Sequence, residues 1–445
     1  MFREWLVAVK SRFPEFEELA RIAENDNSWP DGYDSDRVLV YFEKSGRHQL
    51  ISLVRRALTA FEMLCTPTAP VPDELRGLPW EWHDSSLVQR SIASTKRHSR
   101  QRSVSTAEYR WYLGRNLAKQ MSRVTRILID TCHWVKMRDY EMGRPVPAEY
   151  GEILRHLRWL VASQRYVCPV TPALFLELQT QTDRTTRMHT ARLMEELSRN
   201  VVLPHISTME KLELRRRAFD TALGTGALNS DWQVWTRPGF LLGEQWPVPE
   251  ENWMTEEQLC WVQKCYIDSI WEAPLTQVIG VVDASQSTKD LRQDFERIMN
   301  DDIRARPARD FEYERNRALA IVMREIIMPA IKEFIPELQR VAARLPGFEL
   351  PEGLTSREPD PWCLPSVRII AGIEALIRTT NRRFRGNDMF DLFHCAAALP
   401  YCNVFFCDGP FERVIKDPKL QYDKVYGVKV VSSSRDIVVY LQELS

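Results

Sequence analysis

The stretch GNDMFDLFHCAAALPYCNVFFCD, residues 386–408, joins two kinds of element in one run. Asp388 and Asp391 open a segment with helical spacing, and Asp408 directly follows NVFFC, an apolar run typical of a buried strand. Ligands of open parallel sheets bind beyond the carboxyl ends of the strands, so an acid at a strand end indicates a functional edge. The stretch therefore predicts an α/β fold with Asp408 at that edge.

Two further acids lie in comparable positions far upstream. The β-branched run VTRILIDT, residues 124–131, is a strand candidate that ends at Asp130. The segment YVCPVTPALFLELQ, residues 166–179, predicts a short strand, then Thr171 as N-cap of a helix that carries Glu177. Asp388 and Asp391 are three residues apart and so share one helix face. We therefore expect five carboxylates to converge on one cleft, namely Asp130, Glu177, Asp388, Asp391 and Asp408.

A cluster of carboxylates needs a cation, because like charges a few ångströms apart raise each other's pKa and destabilise the fold. Oxygen ligands without a His or Cys set favour Mg²⁺ or Mn²⁺ over Zn²⁺. The chemistry predicted in this way is metal-assisted hydrolysis of a phosphodiester bond. One ion would prepare a water molecule for attack, and another would stabilise the departing oxygen.

These residues resemble the motifs of PIN-like domain nucleases. The resemblance is carried by ILIDTCHW, VTPALFLELQ and NDMFDLFHCAAALPYCNVFFCDGPF, and it covers about residues 126–180 and 366–444. It implies a Rossmann-like α/β/α sandwich with a parallel sheet. In the matching positions the implied metal-binding residues are Asp130, Glu177, Asp391 and Asp408, with Asp388 as an adjacent helper and His394 as a brace for the site.

The resemblance further implies an Mg²⁺- or Mn²⁺-dependent endoribonuclease that cleaves single-stranded or structured RNA. By analogy, a nuclease with large accessory parts suggests a toxin or an anti-phage defence effector, controlled by a regulatory protein partner or by homo-oligomerisation. Two alternatives stay open. One is a catalytically inactive PIN-like interaction or scaffold protein, and the other is a DNA-directed nuclease.

Changes in composition, together with the extent of the PIN-like resemblance, divide the chain into five parts. They are a small helical domain (1–66), a linker and basic segment (67–125), the first part of the PIN-like domain (126–180), a mostly helical insertion (181–365) and the second part of the PIN-like domain (366–445). The N-terminal part resembles the small, all-α YozE-like domain through FREWL, ELARIAENDNSWP and VLVYFE. Within the insertion, QVIGVVDAS, residues 277–285, fits either a strand or a helix.

Bulk composition is that of an ordinary soluble protein. The chain has 445 residues, with 44% hydrophobic and 27% charged residues, and its net charge of -1 gives no general bias toward nucleic acid. No apolar run approaches the roughly 18 residues of a membrane span. The nine cysteines contain no CxxC pair and indicate free thiols. We therefore expect a cytoplasmic protein without a membrane partner.

Several single residues also fit simpler roles. Asp388 suits a helix cap, Glu177 a solvated helix position, and His394 a satisfied core histidine. His133 is expected to be structural. It is the joint order of these residues along the chain that favours a site.

Two basic clusters are open to more than one interpretation. The segment from Lys96 to Arg126 holds nine Lys and Arg residues against one acid. It fits a solvated or mobile segment, or a nucleic-acid contact in which aromatic side chains stack on bases. The aromatic residues are Tyr109, Trp111 and Tyr112, and the second basic cluster is Arg378, Arg382, Arg383 and Arg385. This second cluster fits either the steering of a phosphate backbone or an exposed helix end.

Overall fold

The computed structural model describes residues 2–10, 16–30, 35–65, 87–100, 104–223, 234–241, 243, 254–282, 285–322, 324, 364–380 and 382–444. The protein is mixed α/β and mostly helical, with one small parallel sheet. None of the described helices combines the length and the apolar character needed to cross a bilayer.

The N-terminal unit is helical in its described part, as the sequence predicts. It contains α1 (Phe2–Val9), α2 (Glu17–Asn25), α3 (Ser35–Lys44) and α4 (Ile51–Cys65). Trp29 is buried in the turn after α2, and its ring lies 5.7 Å from that of Phe42 and 6.2 Å from that of Phe2. Asp26 accepts hydrogen bonds from Ser28 and Arg47, and these bonds lower the pKa of its carboxyl group and fix the same turn.

The sheet has four parallel strands in the order β2-β1-β3-β4. Their bounds are β1 (Thr125–Ile129), β2 (Tyr166–Val167), β3 (Val404–Phe406) and β4 (Lys429–Val431). The central pair joins residues almost 280 positions apart, with Ile129 opposite Phe406. Backbone bridges from Val170 to Val202 and from Val202 to Thr236 continue the pairing beyond β2.

Helices surround this sheet. In chain order they are α5 (Leu87–Arg100), α6 (Thr106–Met121), α7 (Thr131–Glu141), α8 (Glu149–Ala162), α9 (Pro172–Gln179), α10 (Arg184–Ser198), α11 (Ile206–Leu223), α12 (Glu256–Trp271), α13 (Leu275–Val281), α14 (Ser285–Ala305), α15 (Phe311–Val322), α16 (Pro365–Thr379), α17 (Asp388–Tyr401), α18 (Gly409–Ile415), α19 (Tyr422–Tyr426) and α20 (Ser434–Leu444). Helix α8 packs on α20, and α17 packs on β3 and α19. The chain passes from β1 to its neighbour β2 through α7 and α8, and from β3 to its neighbour β4 through α18 and α19, so the two connections run toward opposite edges of the sheet.

The residues between the two halves of the sheet share its core. Buried side chains from 181–365, such as Leu193, Trp235, Ile267 and Leu275, belong to the same apolar cluster as Ile127 and Phe405. The ambiguous stretch QVIGVVDAS contributes helix α13, and Ile279 buries its apolar side. The insertion is therefore packed into the α/β body in its described part.

The basic segment 96–126 differs from a mobile linker. Its described residues form α5 and α6, and both helices pack on α12. Tyr109 and Tyr112 are buried in the core, so neither ring is available to stack on a base. Asp268 of α12 accepts hydrogen bonds from Ser94 at 2.6 Å and from Arg97 at 3.3 Å. In the sequence Arg97 looks like an unpaired cation, because its partner Asp268 lies 171 positions away in the chain.

A buried ion cluster joins α14, α15 and α16. Arg378 is 1% exposed and donates to Glu314 at 2.7 Å and to Asp302 at 2.6 Å. Arg317 bonds to the same two carboxylates. Since these partners come from both sides of the boundary at residue 365, the cluster fixes the insertion to the C-terminal half.

Helix α16 starts without a side-chain cap from its own N-cap residue. Leu364 occupies the N-cap position, and Pro365 starts the helix. The Ser366 N–H and hydroxyl both donate to Glu213 of α11, at 3.0 Å and 2.6 Å. A carboxylate from another helix therefore takes the place of the local cap.

Candidate metal centre

Asp130 and Asp408 lie side by side at the carboxyl edge of the sheet. Asp130 follows the last residue of β1, and its N–H donates to the carbonyl of Phe406 at 2.8 Å. Asp408 follows β3 by one residue and caps α18, where its Oδ1 accepts from the Phe411 N–H at 2.7 Å. Because β1 and β3 are paired neighbours, the two acids reach the same edge, as the strand-end argument predicts.

Glu177 reaches this edge from α9. Thr171 caps the helix by accepting from the Leu174 N–H at 3.2 Å, and Pro172 occupies its first position, as predicted. The hydroxyl of Thr131, the residue after Asp130, donates to Glu177 Oε2. This bond ties the acid on α9 to the end of β1.

His394 completes a compact group with two of the acids. Its Nε2 lies 3.1 Å from Glu177 Oε2, and its Nδ1 lies 3.0 Å from the Thr171 hydroxyl. An ionised carboxylate only accepts, so Nε2 carries the proton and donates to Glu177. One potential ligand atom each from Asp130, Glu177 and His394 lie within 4.8 Å of one another. Within the described ranges, no other three His, Cys, Asp or Glu residues are grouped so closely.

Asp391 lies one turn into α17 and shares the electrostatic field of the group. Burial, with the charges of Asp130, Glu177 and Asp408, raises the pKa of its carboxyl group to about 8, although His394 acts in the opposite direction. Burial likewise raises the pKa of Asp130. For His394, burial disfavours the cation, but the bond to Glu177 and the nearby acids raise its pKa overall. The four acids therefore form an under-compensated negative cluster.

The carboxylate of Asp388 is engaged with the loop before α17. It is 2% exposed and accepts from the Arg385 N–H at 2.8 Å and from the guanidinium of Arg382. These bonds hold the loop before α17, and the N-cap position itself belongs to Asn387. The structure therefore places Asp388 in the support of the loop. Like Asp391 and Asp408, it is not one of the three residues grouped within 4.8 Å, which are Asp130, Glu177 and His394.

His133 and Cys132 also contact the site. His133 is buried, donates from Nε2 to the Cys407 carbonyl at 2.9 Å, and accepts at Nδ1 from the Tyr150 hydroxyl at 3.0 Å. It thereby fixes the residue that precedes Asp408, in keeping with the structural role expected for it. Cys132 bonds to Asp130, and burial together with this acid raises the pKa of the thiol.

The arginines before α17 have unequal surroundings. Arg378 is buried in the ion cluster, Arg382 bonds to Asp388, and Arg383 lies 3.2 Å from Glu296. Arg385 is exposed, and its guanidinium forms no hydrogen bond or ion pair with any residue that the structure describes. Of the four arginines, Arg385 is therefore the one that is exposed and has no side-chain partner among the described residues.

Sequence analysis did not identify Thr131, Cys132 or the hydroxyl of Thr171 as neighbours of the acids. A hydroxyl residue directly after a strand-end acid is a local signal for Thr131, whereas the contact between Thr171 and His394 leaves no mark in the sequence because 223 positions separate them. Comparison with known protein families, with curated proteins and with solved structures finds no match for this chain.

Proposed function

We propose that this chain is a metal-dependent nuclease that hydrolyses phosphodiester bonds. The observation that carries the proposal is the convergence of Asp130, Glu177 and His394, with Asp391 and Asp408 beside them, at the carboxyl edge of a parallel sheet. Parallel α/β proteins bind their ligands at that edge.

The electrostatics of the cluster suit a divalent cation. An acid with a pKa of about 8 is one whose ionised form lacks a counter-charge, and a bound cation supplies that charge. Carboxylate oxygens from Asp130, Glu177, Asp391 and Asp408 are the donors that Mg²⁺ and Mn²⁺ prefer. When bound, the ions would activate a water molecule and stabilise the leaving oxygen of a phosphodiester.

The protein groups around the acids orient them. Glu177 Oε2 accepts from both Thr131 and His394, and these two bonds orient the carboxylate. His394 is held from its other side by Thr171, so it acts here as a positioning residue. His133 fixes the carbonyl next to Asp408. Each acid on a strand end or on α9 is thus anchored by a named neighbour.

The more specific form of the proposal is a PIN-like endoribonuclease. It is supported by the motif resemblance, by strand-end acids on neighbouring parallel strands, and by helices that alternate with the strands along the chain. This specific form of the proposal takes RNA as the substrate. It also includes action in the cytoplasm as a toxin or an anti-phage effector, under the control of a partner protein or of homo-oligomerisation. A YozE-like N-terminal unit is part of the same proposal.

Cleavage assays test the proposal directly. Labelled single-stranded RNA and DNA are incubated with the full chain in Mg²⁺, Mn²⁺ or EDTA, alongside Asp130→Asn and Asp408→Asn. Asp436→Asn, which alters an exposed acid of α20, is the matched control. We expect metal-dependent cleavage of RNA by the wild type and the control, and none by the two site variants. Equal cleavage by the wild type and the two site variants would refute the proposed active site. Absence of cleavage by every protein would favour the interaction-protein alternative. Preferential cleavage of DNA would show that the substrate is DNA and not RNA.

A further inference from the structure

Helix α14, from the segment between the two halves of the sheet, holds the loop that leads to Asp391. Asn300 is 7% exposed on this helix. Its Oδ1 accepts from the Phe384 N–H at 3.1 Å, and its Nδ2 donates to the Phe384 carbonyl at 2.9 Å. The carboxamide therefore pairs with the loop backbone as a neighbouring strand would.

Glu296 makes the second attachment, one turn earlier on α14. Its Oε2 accepts from the Gly386 N–H at 3.1 Å, and its Oε1 lies 3.2 Å from Arg383. A Cβ at Gly386 would lie only 3.2 Å from both Cβ and the carbonyl oxygen of Arg292. The loop backbone thus rests directly on α14, at a distance that favours glycine.

The held loop continues into the first turn of α17. Asp388 Oδ2 accepts from the Arg385 N–H, and the Asn387 carbonyl accepts from the Asp391 N–H at 3.1 Å. Phe390 is fully buried and packs with Ala173 on the helix that carries Glu177. Backbone and packing contacts therefore connect α14 with the two acids that lie on helices, Asp391 on α17 and Glu177 on α9.

Asp391 depends on this support more than the other acids do. Thr131 and His394 bond to Glu177, and Asp408 is bonded to the helix that it caps. In the described part of the chain, no hydrogen bond to the carboxylate of Asp391 is present. The backbone of its own turn sets its position, and α14 sets that backbone.

We propose that Asn300 and Glu296 are positioning residues for Asp391, so that the insertion builds part of the metal centre. The inference rests on the proposed function, because it takes Asp391 to be a metal ligand. Groups that orient metal ligands typically change metal affinity by roughly 10–100-fold when they are removed. A loss of that order is expected here, since the loop would be free to shift Asp391 away from the other acids.

The test uses the full chain and Mn²⁺ itself. Binding is measured by electron paramagnetic resonance titration for wild type, Asn300→Ala and Glu296→Ala, and hydrogen exchange is measured in parallel. Glu296→Gln keeps an acceptor for the Gly386 N–H and serves as the conservative variant. Asp301→Ala, on the same helix with its side chain 56% exposed, is the matched control.

We expect Asn300→Ala and Glu296→Ala to weaken Mn²⁺ binding by about 10-fold or more, with faster exchange confined to residues 383–391. Glu296→Gln should recover most of the affinity, and Asp301→Ala should leave it unchanged. Faster exchange at the loop with Mn²⁺ affinity within twofold of wild type would overturn the positioning role alone. Absence of Mn²⁺ binding in the wild type would instead overturn the metal centre, and the positioning role with it. Glu296→Ala keeps the test decisive if Asn300→Ala does not fold, because the Glu296 side chain is 37% exposed.

Discussion

Replacement of Asp391 by Asn should stabilise the metal-free protein while it removes the response to divalent cations. Burial and the neighbouring acids raise the pKa of Asp391 from 3.8 to about 8. At pH 7 the folded chain therefore holds a proton that the unfolded chain releases. By linkage this difference lowers the free energy of unfolding by about 4 kcal/mol, and Asn recovers up to that amount.

The sign of the effect fixes its pH dependence. Between the ordinary carboxyl pKa of 3.8 and the raised value of about 8, the folded state binds more protons than the unfolded state. The contribution of Asp391 to the free energy of unfolding of the metal-free wild type is therefore largest below about pH 4, and it is lost as pH rises through about 8. The advantage of Asp391→Asn over wild type should therefore be near zero at about pH 4 and should grow toward pH 8.

Glu210→Gln provides a matched control outside the site. Glu210 is 2% exposed on α11, and burial together with Glu213 raises the pKa of its carboxyl group to about 8. The same linkage gives a gain of up to about 3 kcal/mol at pH 7 on replacement by Gln. Both variants should raise the thermal midpoint in EDTA, measured by circular dichroism from pH 4 to 8.

The stabilisation produced by Mn²⁺ should distinguish Asp391→Asn from Glu210→Gln. A ligand at 100 times its dissociation constant stabilises the folded state by about 2.7 kcal/mol. Wild type and Glu210→Gln should gain that stabilisation, and Asp391→Asn should gain much less of it and should lose cleavage. Destabilisation of the metal-free protein by Asp391→Asn, or an equal Mn²⁺ shift in all three proteins, would refute the reasoning.

Three other substitutions test separate parts of the structure. Arg385→Ala should raise KM for RNA with little change in kcat. In binding titrations at several salt concentrations, it should reduce the slope of log affinity against log salt by about 0.7. Arg378→Met leaves Glu314 buried without this partner and should lower the free energy of unfolding by about 3–5 kcal/mol in urea denaturation, and an unchanged midpoint would contradict the role of the ion cluster. His133→Phe frees the buried carbonyl of Cys407 and should cost about 1–3 kcal/mol by the same measurement.

Local sequence patterns predicted the elements that build the sheet. The strands before Asp130 and Asp408 were identified from apolar runs, and the helix that carries Glu177 was identified from its cap at Thr171. Parallel topology then follows from the alternation of helices and strands, and with it the prediction that both acids reach one edge. These features were predictable because each depends on residues that are close in the chain, or on a rule that applies to all parallel sheets.

Pairing between distant side chains was not predictable. Arg378, Arg382, Arg383 and Arg385 look alike in the sequence, yet only the last has no described partner for its side chain. The others meet acids that lie up to 87 positions away, such as Glu296. The basic segment around Arg97 misled for the same reason, because Asp268 lies 171 positions downstream.

The arrangement suggests why so long an insertion is packed into the α/β body. A cluster of acids that lack a counter-charge works against folding until a cation binds, so its scaffold must be held by contacts outside the cluster. The described part of residues 181–365 provides such contacts at three places: the bridges at Val202, the ion cluster at Arg378 and the loop attachment at Asn300. None of these three contacts uses the carboxylate of Asp130, Glu177, Asp391 or Asp408. On this reasoning the insertion supports the proposed metal centre, and the attachment at Asn300 is the one that bears on Asp391.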